Sequence, residues 1–408
     1  MTAFSTAAIV TVGTELVRGL SVDTNTAEIA HVLFGAGIEV GETVSLPDDE
    51  AALTGALRRC GAAYDLVVVT GGLGPTHDDV TRQAAAGALG LALRRDDALV
   101  ATLRSSSARH TDARAAERIF LQADVLEGAT VLPAVRGTAP GQIVPTRRGA
   151  LVLLPGPPHE MRPLLHALAA SWGTGSVEPR VLRCTGVSES DLQMAVQDVL
   201  AGRTDIELTL LAKPSDVRIV LFDRGAGPTA LDMAAATIAA SVGDACYSTD
   251  GSSLAETVLA RATAAGLTIS TAESCTGGLI GAAITEVPGS SAAYLGGAVS
   301  YADEAKVTLL GVDPGLIAAC GAVSDAVARA MAAGARDTLG ADYAVSVTGI
   351  AGPGGGSPDK PVGTVWFGIA GPDCADAQLR RFPGDRATVR ERSVATALDL
   401  LRRALPDA

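Results

Sequence analysis

The stretch Thr271-Ala272-Glu273-Ser274-Cys275-Thr276-Gly277-Gly278 sets a serine and a cysteine side by side ahead of two glycines. An apolar run, Leu267 to Ile269, precedes it, and a small-residue helical stretch, Leu279 to Thr285, follows. A strand that turns through glycine into a helix exposes one side chain and aims backbone N–H groups at whatever sits above it. That side chain is Ser274 or Cys275. A serine hydroxyl needs a base to take its proton. All five histidines (His31, His77, His110, His159, His166) lie in the first half of the chain, so the base here is lysine, tyrosinate or carboxylate. Lys306 and Lys360 are the lysines of this region, each in or beside a glycine-rich or helix-start loop. A lysine base needs its pKa lowered from about 10.4 toward roughly 7–8 by burial or a neighbouring cation. Tyr301, shortly before Lys306, could relay the proton. Backbone N–H groups of Thr276, Gly277 and Gly278 would meet the developing oxyanion. The plainer readings are an N-cap for Ser274, a small buried residue for Cys275, a surface lysine for Lys306 and a ligand-free loop for Gly352–Gly356.

A second constellation is Thr70-Gly71-Gly72-Leu73-Gly74-Pro75-Thr76-His77-Asp78-Asp79-Val80-Thr81. Gly71, Gly72 and Gly74 let backbone N–H groups face an anion, and Thr76 or Thr81 adds a hydroxyl. Asp78 and Asp79 cannot face a phosphate alone, so a divalent cation between them is the natural partner. The alternative is that one of them caps the helix starting near Val80. Three further loops carry glycine or proline beside polar residues: Gly13–Gly19 reaching on to Asp23-Thr24-Asn25, Gly137–Gly141, and Pro155–Met161 with His159 and Glu160.

The elements that must position these loops follow from periodicity. Ala7–Val12 reads as a strand, Thr24–Ala36 as a helix, Ile38–Val44 as a strand, Glu50–Cys60 as a helix and Tyr64–Val69 as a strand. This βαβαβ rhythm predicts a parallel, doubly wound sheet over residues 1–170, with ligands at the carboxyl ends of its strands. Residues 171–250 open on the linker Ser171–Ser176 and continue with strands Val181–Thr185, Glu207–Leu211 and Val217–Leu221 and two helices. They carry no convergent polar set, so a connecting or dimerising module is expected. Residues 251–408 resume the βα pattern and end on a helix, Asp385–Arg403.

Composition bounds the partners. At 408 residues, two or three domains are expected at roughly 150 residues each. A hydrophobic content of 48% against 19% charged residues marks a folded chain. The net charge of −13 argues against a nucleic-acid partner, whose phosphates need a basic surface. No apolar run approaches the about 20 residues that span a bilayer, and the first residues read as a strand, not a signal peptide. The six scattered cysteines show no CxxC spacing, which fits a reduced, cytoplasmic protein without a zinc site.

The loops Gly13–Gly19, Thr70–Thr81, Gly137–Gly141 and Pro155–Met161 together resemble the N-terminal domain of the CinA (competence/damage-inducible) family, similar to molybdopterin-binding domains. In some members that domain hydrolyses ADP-ribose with a divalent metal, so the resemblance implies Mg2+ or Co2+ at Asp78 and Asp79. Residues 171–250 resemble the KH-like middle domain of that family. Thr271–Gly278, Tyr301–Lys306, Gly349–Gly356 and Lys360–Trp366 resemble its C-terminal domain, whose stand-alone relatives are nicotinamide-nucleotide amidohydrolases. This implies metal-free deamidation of nicotinamide mononucleotide to nicotinate mononucleotide and ammonia. Ser274 is then the nucleophile, with Lys306 and Tyr301 in the proton-transfer network. Thr348, Gly349, Gly352 and Gly355 line the substrate, and Arg386, with Arg390 beside it, holds the phosphate. Pro383, in Phe382–Arg386, stands where the family loop has a small polar residue. A homodimer is expected. The competing expectations are a molybdopterin-handling protein and a nucleotide-binding protein without catalysis.

Overall fold

A strand of Val67, Val68 and Val69 has no polar face, and such a strand is stable only with both faces covered. The computed structural model, which describes residues 4–107, 117–172, 178–372 and 374–406, places it in the middle of a covered sheet. His110 and the Gly173–Ser176 part of the expected linker lie outside the described residues. The chain divides into two compact units, Met1–Ser176 and Val177–Ala408.

In the first unit the elements run β1 (Thr6–Val12), α1 (Thr14–Val17), α2 (Asn25–Gly35), β2 (Glu39–Leu46), α3 (Glu50–Ala63), β3 (Leu66–Thr70) and α4 (Thr81–Leu89). They continue with β4 (Leu93–Arg95), α5 (Asp97–Ser107), β5 (Asp124–Leu126), β6 (Thr130–Leu132), β7 (Gly141–Pro145), β8 (Ala150–Leu154) and α6 (Pro158–Trp172). The main sheet has the order β2-β1-β3-β8-β7-β6. Its first four strands are parallel, while β7 and β6 attach antiparallel. The sheet is therefore mixed, because the short turn after Pro145 can only return the chain as a hairpin. Ala8, Val10 and Val12 pack toward α3 and α4, and Ala7 and Ile9 toward α2 and α6. β1 pairs with both β2 and β3, so chain direction splits on either side of it. A crevice opens at such a switch point, beyond the carboxyl ends of β1 and β3.

The second unit holds two sheets. The first contains β9 (Arg180–Cys184), β10 (Ile206–Lys213), β11 (Asp216–Asp223) and β12 (Cys246–Ser248) in the antiparallel order β10-β11-β9-β12. Helices α7 (Glu189–Leu200) and α8 (Pro228–Val242) cover it through Leu192, Val196, Leu231 and Ile238. Then come α9 (Leu254–Ala265), β13 (Ile269–Glu273), α10 (Leu279–Thr285), β14 (Tyr294–Val299), α11 (Asp303–Leu310), α12 (Pro314–Cys320) and α13 (Asp325–Leu339). The chain closes with β15 (Tyr343–Gly349), β16 (Thr364–Ala370), β17 (Ala375–Arg381) and α14 (Arg386–Ala404). Their sheet order is β14-β13-β15-β16-β17, parallel over the first three strands and antiparallel beyond. Ser274 leaves the central parallel strand at its carboxyl end. No helix among the described residues is long and apolar enough to cross a membrane.

Two candidate active sites

The crevice of the first unit is a cavity of about 630 Å³. The loops after β1 and β3, residues Thr138 and Ala139, and the turn into α6 line it. Glycine is required at Gly71, whose φ is 105° and where a Cβ would meet the Val12 carbonyl at 2.2 Å. The expectation that all three loop glycines face an anion is corrected. The Gly71 N–H donates to the Leu154 carbonyl at 3.1 Å and the Gly74 N–H to Asp79 Oδ1 at 2.7 Å. Both are spent on holding the loop, and Gly72 alone retains its N–H. Asp79 also accepts the Thr76 N–H at 2.7 Å, so it ties its own loop and leaves α4 without a side-chain cap. Arg82, 2% exposed, braces the loop from beneath by donating to the carbonyls of Leu73 and Gly74. Sequence reading passed over Arg82 because a buried guanidinium has no local signature.

The Thr76 hydroxyl contacts both Asp78 Oδ1 and Asp79 Oδ2. A hydroxyl has one proton, so two carboxylates converge on a single donor. The Thr76 hydroxyl holds the Asp78 carboxyl below its ordinary range. The Asp78 side chain is 54% exposed. No cluster of three or more His, Cys, Asp or Glu suited to a metal occurs among the described residues. A cation between Asp78 and Asp79 would therefore draw its other ligands from water and a bound phosphate, the pattern Mg2+ accepts. The residues fit that use. Deeper in the cavity, Asn25 Nδ2 donates to the Gly156 carbonyl at 2.7 Å, which fixes the amide orientation. Asn25 Oδ1 is buried without a partner, as is Gln122 Oε1. Burial pushes the Glu160 carboxyl up.

In the second unit Ser274 is 8% exposed, and its N–H donates to the Val347 carbonyl at 2.9 Å. Ser274 does not cap α10. Glu273 does: its buried carboxylate accepts the N–H groups of Gly278 at 2.9 Å, Ile280 at 3.1 Å and Gly281 at 2.8 Å. The first N–H groups of a helix need acceptors, and an acid at that terminus also meets the helix dipole. This changes the expected oxyanion donors. Gly278 N–H goes to Glu273, and Gly277 N–H goes to the Ser274 carbonyl at 3.1 Å. The N–H groups of Cys275 and Thr276 are the ones not spent on another residue. Burial pushes the Cys275 thiol up to about 12, so Cys275 is a neutral thiol at pH 7 and a poor nucleophile.

Ala272 clusters with Val327, Met331 and Ala335 and with Leu310, so α13 covers that face of β13 and α11 packs beside α13 in the same layer. Lys306 lies one turn before Leu310 on the same buried stripe, 1% exposed. Its Nζ donates to the carbonyls of Tyr301 at 3.2 Å and Ala302 at 3.5 Å, and to Asp303 Oδ1 at 3.3 Å. Three acceptors match the three protons of an ammonium. Lys306 thus spends its donors on its own helix start. The Tyr301 side chain is 60% exposed, and its phenolic oxygen accepts from Arg386 Nη2 at 3.1 Å. Arg386 Nη1 donates to the Gly352 carbonyl at 2.9 Å, joining the Tyr301 loop to the glycine-rich loop. Gly352 and Gly355 both have φ of 85°. Gly349 closes β15, and Thr348 donates its hydroxyl to the Ala322 carbonyl at 2.8 Å. Arg390 Nη2 donates to the Thr276 carbonyl at 2.8 Å. Lys360 donates to the Cys320 carbonyl at 3.0 Å, so it anchors its loop to the end of α12. Ser300, fully buried at the end of β14, keeps an unpartnered hydroxyl.

Sheet order and sites define a multidomain α/β protein with a switch-point cavity in one domain and a serine-bearing strand–turn–helix in another. The chain matches the models of a probable molybdopterin binding domain over residues 8–172 and of the CinA C-terminal domain over 251–405. It is 39% identical over 414 residues to a CinA-like protein of Acidobacterium capsulatum, covering 98% of this chain and 99% of that one. It is 43% identical over 420 residues to a putative competence-damage inducible protein of Symbiobacterium thermophilum, covering 98% of each. The solved structure of competence/damage inducible protein CihA from Agrobacterium tumefaciens covers 36% of this chain and 91% of its own, at 45% identity and a TM-score of 0.36. The chain belongs to the CinA family.

Proposed function

We propose that the domain carrying Ser274 hydrolyses the carboxamide of nicotinamide mononucleotide. The observation that carries this reading is the turn itself. It presents a serine at the carboxyl end of a central strand, disables the neighbouring thiol by burial, and leaves two adjacent N–H groups, Cys275 and Thr276, for an oxyanion. Ser274 Oγ attacks the amide carbon and its proton passes to Lys306 in its neutral form. The oxyanion is met by the two N–H groups. The C–N bond breaks as the proton is returned to the leaving nitrogen, and ammonia departs. Water then cleaves the acyl-enzyme to nicotinate mononucleotide, with Lys306 as base again. Arg386, held between Tyr301 and Gly352, takes the 5′-phosphate. Incubation with nicotinamide mononucleotide, following ammonia beside Ser274→Ala, tests this. No ammonia from folded wild-type protein, or equal release by the variant, overturns it.

For the first unit we propose binding and hydrolysis of ADP-ribose. Asp78 and Asp79 would hold Mg2+ or Co2+, which offsets the charge of a pyrophosphate when bound. The unpartnered oxygens of Asn25 and Gln122 support a ligand that brings hydroxyl or amino donors into the cavity. Both reactions suit salvage of pyridine nucleotides in the cytoplasm by a homodimer. ADP-ribose conversion to AMP in the presence and absence of metal is the test, and a folded protein inert under both conditions overturns it.

A further inference from the structure

Cys184 and Cys246 face each other across two antiparallel strands. They are register partners in the β9–β12 ladder. The Thr185 N–H donates to the Ala245 carbonyl at 2.9 Å, which makes the neighbouring rung the hydrogen-bonded one. Rungs alternate, so Cys184 and Cys246 occupy a non-hydrogen-bonded rung, where Cα atoms lie about 4.5 Å apart and side chains approach closest. A disulfide spans Cα separations of roughly 4.4–6.8 Å. Cys246 Sγ donates to the Ser248 carbonyl at 3.5 Å, and both side chains face the same core beneath the sheet.

Their surroundings differ in a useful way. Cys184 has no exposed surface and sits in the core beneath the sheet. Cys246 is half-buried and lines a surface groove of about 480 Å³ with Tyr247, Asp250, Glu256 and Arg261. The neighbouring Cys184 thiol, with Arg402 nearby, lowers the Cys246 thiol from its ordinary range, while Cys246 and burial push Cys184 up. A reachable thiol paired across one rung with a protected second thiol is the arrangement of an oxidisable pair.

We propose that Cys184 and Cys246 form a reversible cross-strand disulfide, with Cys246 the thiol that meets a peroxide and Cys184 the resolving thiol. The Cys246 sulfur attacks one peroxide oxygen. The S–O bond forms, the O–O bond breaks, and the departing hydroxide takes a proton to leave as water. Cys184 sulfur then attacks the Cys246 sulfenic acid, the S–O bond breaks, and a second water leaves with the Cys184 proton. Two thiols lose two electrons and one peroxide becomes two waters. A dithiol reductant reverses the bond by exchange. This site is independent of the function proposed above.

The test uses the full chain, reduced, exposed to hydrogen peroxide, quenched with acid, alkylated in denaturant and digested without reductant. The expected result is a linked Cys184–Cys246 peptide pair and a fall from six free thiols to four, both reversed by dithiothreitol. The oxidised protein should also show a higher midpoint of thermal unfolding. In Cys184→Ser, the Cys246 sulfenic acid should persist and be trapped by dimedone. In Cys246→Ser, Cys184 should stay unmodified. Loss of the exposed Cys320 thiol while Cys184 and Cys246 remain alkylatable overturns the proposal, as does undiminished oxidation of Cys184 in Cys246→Ser. The wild-type peptide map decides the matter even where a variant fails to fold.

Discussion

The Glu273 carboxylate accepts the Gly278 N–H at 2.9 Å, so the turn bearing Ser274 is folded onto its own acidic neighbour. Glu273 accepts two more N–H groups from the first turn of α10 and is 2% exposed. Removing an acceptor there strands buried donors. Glu273→Gln keeps one acceptor but turns an NH2 group toward main-chain N–H groups. The expected cost is about 1–3 kcal/mol of stability, read by urea unfolding. Because the donors of the turn shift together, kcat should fall more than KM rises. An unchanged unfolding midpoint would show that the cap is dispensable.

Lys306 offers a sharper test of the proton path. Its ammonium is matched by the Tyr301 and Ala302 carbonyls and by Asp303. Acting as base requires the neutral amine. Lys306→Met should lower kcat by about 10²–10⁴-fold, the usual worth of general base catalysis. Lys306→Arg keeps the charge and should be equally slow, since guanidinium does not deprotonate. Activity within twofold of wild type in Lys306→Arg sinks the assignment.

Arg386 bridges the Tyr301 hydroxyl and the Gly352 carbonyl, so two loops orient one guanidinium. If it holds the substrate phosphate, Arg386→Ala should raise KM for nicotinamide mononucleotide by about 10–100-fold, in line with a charge-assisted bond of about 1.5–3 kcal/mol. The dephosphorylated nucleoside should be handled alike by both proteins. A KM rise of the same size for the nucleoside would mean that Arg386 only props the loops.

What the sequence made legible, and what it hid, divides along a physical line. The strand–turn–helix at Ser274 and the glycine loop after β3 rest on local rules, and both stand where periodicity put them. The helix Pro314–Cys320 carried a local signal, Asp313 before Pro314, that the reading passed over; Asp313 caps it by accepting the Gly315 N–H at 2.8 Å. The use made of each N–H was not legible. Gly71, Gly74, Gly277 and Gly278 suggest anion contacts in one dimension, yet their donors go to Leu154, Asp79, Ser274 and Glu273. Such partners are set by how a loop closes, which composition does not encode. The buried places of Lys306 and Arg82 depend on packing against another element and were hidden for the same reason.

Asp78 and Asp79 separate the folding and binding roles of one loop. Each Asp79 oxygen accepts a backbone N–H, from Gly74 and from Thr76, both at 2.7 Å. Asp78 accepts only the Thr76 hydroxyl from its own loop and is largely exposed. An asparagine at either position removes a charge that a cation needs. Asp78→Asn should therefore weaken Mg2+ binding at least tenfold by calorimetry while leaving the unfolding midpoint of the first unit in place. Asp79→Asn should weaken binding and also lower stability by about 1–2 kcal/mol, because one N–H loses its acceptor. The charge argument makes both losses metal-specific, so calorimetry in the absence of Mg2+ should show no difference between Asp78→Asn and wild type in thermal unfolding. Equal Mg2+ affinity in wild type and both variants would remove the cation from this loop and leave Asp78 as a solvated residue.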